Sequence, residues 1–240
     1  MDEALRLCVV ADGIGGHNAG EVASRLAVDA VVAFVADPQS RPWEFGYESA
    51  VSPAGNLLRT AIHLANERIL EAAGASRDLA GMATTIVAAL VVGDRLSVCH
   101  VGDSRLYVSK NGRLRQLTRD DSWTASVLAA DPSADSVALE HHPLRHALTN
   151  VVGVRSATDV HVVEERLGGG EVLLLCTDGV HAALDARRLQ QFLTDGVDPE
   201  EVAANIVKSA IIHGSRDNCT AVVARYLPGA VQPRSASACI

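Results

Sequence analysis

Four aspartates in this sequence share a context that turn formation does not explain. "LCVVAD" ends on Asp12, "VCHVGD" on Asp103 and "LLLCTD" on Asp178, while Asp217 stands just before "CTAVVARYL". A lone Asp-Gly is ordinarily a turn. A hairpin turn must be followed by another strand, however, and after Asp12-Gly13 and Asp178-Gly179 the pattern becomes helical. Each aspartate therefore reads as a residue delivered to the rim of a core strand. Carboxylates gathered at one rim repel, and they take up protons unless a cation is present. A ligand set made of oxygen, with no cysteine pair and no H-E-x-x-H, suits hard Mg²⁺ or Mn²⁺ better than Zn²⁺. Two such ions can activate a shared water and clamp an in-line displacement at phosphorus, which requires no nucleophilic side chain.

The elements that must position these residues follow from periodicity. Apolar residues three and four apart predict helices over Glu21 to Ala36 and Leu57 to Ala73. The stretch after Ala83 changes to short β-branched runs, with Gly93-Asp94 and Asn111-Gly112 as hairpin turns, and reads as an antiparallel meander. Asp120 to Pro143 is polar and irregular, so a long flap is expected there, with "LRHALTNVVG" resuming as a short helix. "DVHVVEERL" and "EVLLLCTDG" read as strands, Ala186 to Thr194 and Pro199 to His213 as helices, and "DNCTAVVARYL" as a closing strand. Two sets of mostly antiparallel strands interrupted by helix pairs predict an α+β fold, a four-layer α/β/β/α sandwich with the helices outside. Burial on both faces then accounts for the wholly apolar Val172 to Cys176.

Composition sets the frame. The 240 residues, 48% hydrophobic and 21% charged, fit one domain over 1–227 with a tail at 228–240 that has little to bury. A net charge of −8 with scattered arginines argues against a nucleic-acid partner. No apolar run approaches the roughly 20 residues of a membrane span, and "MDEALR" begins acidic where a signal peptide begins basic, so a cytoplasmic protein is expected. The five cysteines form no C-x-x-C pair and read as buried, reduced thiols.

Six segments in order, "VVADGIGGHNAGEVAS", "GMATTIVAAL", "HVGDSRLYV", "LTRDDSW", "LLLCTDGV" and "SRDNCTAVVARY", resemble the motifs of the bacterial type 2C (PPM) metal-dependent protein serine/threonine phosphatases. The resemblance covers roughly Leu7 to Tyr226. It implies a binuclear Mn²⁺ or Mg²⁺ centre, or one of three ions. Asp12 would bridge the first two ions, with the Gly13 carbonyl completing the second ion's shell and Asp178 and Asp217 holding the first. Asp103, together with Asp178, would hold a third and weaker ion. Catalysis would run through the metal-activated water held by Asp12, Asp178 and Asp217. Asn218 would brace its loop, and Arg105 is expected to form a salt bridge under the sheet.

The resemblance also implies departures. Many eukaryotic members carry a general-acid histidine two residues past the bridging aspartate, where this chain has Ile14; His17 is the nearby candidate. His141, His142, His146 and His213 match no motif and read as structural. Members normally begin with a further strand and an "R…NED"-like segment, and this chain starts just past it, so the expectation is a domain truncated at its amino terminus relative to the family, either by a misassigned start at Met1 or by a real truncation. The implied partners are phosphorylated proteins and a serine/threonine kinase, met by a monomer. The alternative is a weakened or inactive relative that binds a phosphoprotein or kinase as a regulatory module.

Overall fold

Side-chain alternation along the strands decides the architecture. The computed structural model describes residues 1–16, 19–38, 43–195 and 197–229. One sheet has the order β1 (Leu7–Val10), β4 (Ile86–Val92), β5 (Arg95–Val101), β8 (His161–Arg166). The other has the order β10 (Ala221–Arg225), β9 (Val172–Cys176), β6 (Arg105–Lys110), β7 (Arg113–Gln116). All these pairings are antiparallel, and a short ladder joins β2 (Gly13–Ile14) to β3 (Ala83–Thr84).

Successive residues of a strand face opposite sides, and here they enter different cores. In β9, Leu173 and Leu175 meet Cys8, Val10, Val87, Val98 and Leu106 between the sheets. Val172, Leu174 and Cys176 turn outward into a second core with Leu184, Leu189 and Ile206. In the first sheet, Ile86, Ala88 and Leu90 face a third core with Ala27, Val31, Ile62 and Ile69. Three cores between four layers confirm the expected sandwich, and fully burying each such leucine or isoleucine contributes about 1.5–3 kcal/mol.

The outer layers are α1 (Ala19–Ala36) and α2 (Pro53–Ala75) on one side. On the other lie the short α5 (Asp178–His181), then α6 (Ala186–Asp195) and α7 (Pro199–Ile212). Ser52 caps α2 by accepting from the Gly55 N–H at 3.1 Å, with Pro53 in the first turn, and Asp198 and Pro199 open α7 the same way.

The flap departs from expectation. It contains α3 (Trp123–Ala130) and α4 (Ser136–Glu140), begun by the caps Ser122 and Asp135. Residues 144–153, expected as a helix, are not helical. Their backbone groups are engaged elsewhere: the Ala147 carbonyl accepts from the Trp123 N–H, the Thr149 N–H donates to the Asp121 carbonyl, and Val152 pairs with Thr84. Tertiary pairing outcompetes the weak local preference.

Candidate metal centre

Topology brings the four aspartates to one end of the sandwich. β1 and β5 both flank β4 in antiparallel pairing, so their carboxyl ends lie together, and Asp12 and Asp103 each follow two residues on. The carboxyl end of β9 lies beside the amino end of β10, which places Asp178 near the Asp217 loop. That loop is tied down locally: the Thr177 hydroxyl donates to the Asn218 carbonyl at 3.0 Å and accepts from the Thr220 N–H at 3.1 Å. Asn218 therefore braces the loop through its backbone, its N–H donating to Asp217 Oδ1 at 2.8 Å.

The backbone of Asp12 is clamped. Its N–H donates to Thr85 Oγ1 at 3.2 Å, and its carbonyl accepts from the Thr85 N–H at 2.9 Å and from Thr84 Oγ1 at 2.8 Å. Gly13 is required by packing: a Cβ there would lie 1.9 Å from the Gly20 carbonyl oxygen. The glycine lets the start of α1 pack onto the Asp12 strand. The Asp103 carbonyl accepts from His181 Nε2 at 3.0 Å.

The side chains are in electrostatic conflict. Burial, then the Asp178 carboxyl close enough to share a proton, then Asp217 and Asp103 push the Asp12 carboxyl up to about 7. Burial, Asp178 and Asp120 push Asp103 up to about 7 as well. Asp178 Oδ1 is buried without a hydrogen-bond partner. A hard cation relieves all three features at once, so the residues present fit a divalent ion. They form neighbours rather than a finished cage: among the described residues, no three His, Cys, Asp or Glu side chains converge as a ligand group.

His17 lies outside the described residues, as does the chain beyond 229. Arg105 forms the expected salt bridge, its Nε and Nη2 donating to Asp120 at 2.9 and 2.7 Å and its Nη1 to the Tyr107 hydroxyl at 3.0 Å. His181, which the sequence reading passed over, sits one helical turn from Asp178. Burial and Arg105 push it down to about 4, so the ring is neutral with its Nε2 proton on the Asp103 carbonyl. The i, i+3 spacing in "DGVH" was the available signal. A cavity of about 310 Å³ lies behind it, lined by Arg105, Tyr107, His181 and Asp185 among others, and none of the four aspartates enters it. Cys8, Cys99 and Cys176 are buried free thiols, Cys8 raised by burial to about 11.

A four-layer sandwich of antiparallel sheets with a carboxylate cluster at one end is the arrangement of the metal-dependent protein phosphatases. The protein phosphatase 2C family matches residues 1–209, and the chain belongs to that family. It is accordingly an enzyme of the protein serine/threonine phosphatase class. It is 31% identical over 220 residues to serine/threonine phosphatase stp of Listeria welshimeri, covering 90% of this chain and 83% of that protein. To PstP of Mycobacterium tuberculosis it is 32% identical over 241 residues, covering 97% of this chain and 43% of that protein. The crystal structure of the Mycobacterium tuberculosis phosphatase PstP/Ppp superposes with a TM-score of 0.79 at 30% identity, over 92% of this chain and 88% of that one. The catalytic domain of a PstP phosphatase in complex with two manganese ions gives a TM-score of 0.77 at 27% identity, over 92% and 88%.

Proposed function

We propose that this chain hydrolyses phosphoserine and phosphothreonine in proteins without a phosphoenzyme intermediate, residues 1–227 acting as one phosphatase unit. When bound, two Mn²⁺ or Mg²⁺ ions, or three, supply Lewis acidity and an activated bridging water for in-line attack on phosphorus. Asp12 would serve both ions of the pair and the Gly13 carbonyl the second, Asp178 and Asp217 would hold the first, and Asp103 with Asp178 would hold the third. The Thr84 and Thr85 bonds fix the Asp12 carbonyl and N–H, which leaves its carboxylate as the free ligand. The loop bonds from Thr177 hold Asp217 beside Asp178.

The single observation that carries this reading is the conflict among half-buried carboxylates, with Asp12 and Asp103 both raised to about 7 and a buried Asp178 oxygen left without a partner. The chain works on phosphorylated proteins in the cytoplasm as a monomer opposite a serine/threonine kinase. Among the described residues, no helix is long and apolar enough to cross a membrane.

The test is phosphate release from a phosphothreonine peptide with and without Mn²⁺, alongside Asp217→Asn. Loss of an interaction with developing charge costs about a hundredfold or more in turnover, and that loss is expected with little change in the far-ultraviolet spectrum. Unchanged Mn²⁺-dependent turnover in the variant overturns the site. A fold intact in both chains with turnover in neither selects the regulatory-module alternative.

A further inference from the structure

Two hydroxyls next to the aspartate cluster take part in no strand or helix ladder. Thr85 is 2% exposed and Ser104 is 1% exposed, and their Oγ atoms lie 2.7 Å apart. Thr85 precedes β4 in the first sheet. Ser104 sits in the Gly102–Ser104 connection that carries the chain from β5 in the first sheet to β6 in the second.

Each face of the Thr85 side chain is used. Its oxygen accepts from the Asp12 N–H and shares a proton with Ser104. Its methyl and Cβ lie where a Gly102 side chain would stand, 2.7 Å from the position of an added Cβ, and Gly102 has φ +94°. The Gly102–Asp103–Ser104 turn is thus seated on Thr85 from one side by contact and from the other by a hydrogen bond. Thr85 in turn holds Asp12 through two backbone bonds.

We infer that the Thr85–Ser104 hydroxyl pair is a positioning device that sets the spacing of Asp12 against Asp103, and so the affinity of the centre for its divalent ions. This rests on the proposed assignment of those aspartates as ligands. Asp12 and Asp103 both leave the first sheet, and the β1–β4–β5 ladder stops two residues short of each, at Val10 and Val101. Beyond that point the hydroxyl pair bonds the Asp12 clamp directly to the Asp103 turn. Groups that orient ligands without touching the ion change metal affinity about 10–100-fold when removed.

The test follows thermal unfolding of the full chain against Mn²⁺ alone, read as the Mn²⁺ concentration that half-saturates the rise in Tm, with turnover of a small aryl phosphate in parallel. Thr85→Val keeps the methyl and replaces the hydroxyl with a second methyl; Thr85→Ser retains the hydroxyl; Ser104→Ala removes the other partner and serves where Thr85→Val does not fold. Expected is a rise of about tenfold or more in half-saturating Mn²⁺ for Thr85→Val and Ser104→Ala, with Thr85→Ser within about threefold of the parent. The double variant should add little to Thr85→Val, which already removes both the bond that Ser104→Ala removes and the Asp12 N–H bond. Parent-like half-saturation in both Thr85→Val and Ser104→Ala overturns the inference. Asp12→Asn separates the levels: if it abolishes the Mn²⁺ response while the hydroxyl variants are parent-like, only the positioning role fails. If Asp12→Asn responds as the parent does, the ligand assignment itself fails.

Discussion

Replacing Arg105 with Met removes the charge and the fork of donors while keeping most of the bulk. Arg105 opens β6, two residues past Asp103, and Asp120 begins the flap, so this pair pins the flap to the turn that carries Asp103. The side chains are 25% and 15% exposed. Breaking a fully buried pair by removing one partner costs about 3–5 kcal/mol, because the other charge is left uncompensated. Partial exposure lets water screen Asp120, so about 2–3 kcal/mol is the expected loss. For a chain of this size that lowers Tm by roughly 5–10 °C.

The assay is urea unfolding paired with steady-state hydrolysis of a small aryl phosphate. Arg105→Met should lose stability while its KM stays within about twofold of the parent, since the guanidinium is turned onto Asp120 and Tyr107 rather than toward substrate. Arg105→Lys should recover only part of the loss, because an ammonium cannot make the two-pronged bond. Pairing Arg105→Met with Asp120→Asn should cost less than the sum of the single changes. Unchanged stability together with a KM raised about tenfold would refute the reasoning and make Arg105 a phosphate ligand.

Glu171 is 3% exposed at the entrance to β9; burial alone would raise its pKa, but Lys110 and the N–H groups of Gly168 and Gly169 hold the carboxyl at about 2. With the folded value depressed, its contribution of about 3 kcal/mol is present above the unfolded value near 4.5 and is lost as pH falls toward 2; half-exposed Lys110 makes that figure an upper one. The stability gap between parent and Glu171→Gln in urea should therefore narrow by about 2 kcal/mol between pH 7 and pH 3, and a constant gap would count against it. Gly13→Ala places a Cβ against the Gly20 backbone, which cannot swing aside, so its Tm should fall by the equivalent of about 3 kcal/mol. Gly74→Ala near the end of α2 meets nothing within 4 Å and should stabilise by about 0.5–1 kcal/mol; equal effects in the two variants would contradict the packing argument.

How much of this was legible depends on whether local pattern or distant partners decide each residue. Helices α1, α2, α6 and α7 stand where apolar spacing placed them, and the hairpin turns at Gly93-Asp94 and Asn111-Gly112 fall where expected. The wholly apolar β9 announced a strand buried on both faces. The flap was less legible because its helices are short and α3 buries none of its residues, so periodicity is weak; the cap residues Ser122 and Asp135 were the better signal. Residues 144–153 carried a helical pattern that pairing to Asp121, Trp123 and Thr84 overrides. The need for glycine at position 13 was not legible, since the contact that demands it comes from the Gly20 backbone seven residues on. For His181 the sequence offers only its i, i+3 spacing from Asp178, because its partner, the Asp103 carbonyl, is 78 residues away; the Thr85–Ser104 bond was out of reach, since it joins residues 19 apart in different connections.

The arrangement of the three cores says where the precision of such a site must come from. Asp12 follows a strand of the first sheet, Asp178 and Asp217 flank strands of the second, and Asp103 lies on the connection between sheets. Aspartates drawn from both sheets keep their spacing only if the sheets keep theirs. That spacing is set by the middle core, where Val10, Leu106 and Leu175 pack within three residues of Asp12, Asp103 and Asp178 respectively. The outer cores bind the helices and contribute stability without fixing the distance between sheets. Volume changes between the sheets therefore act on the spacing of the aspartates directly, because a close-packed interior transmits strain.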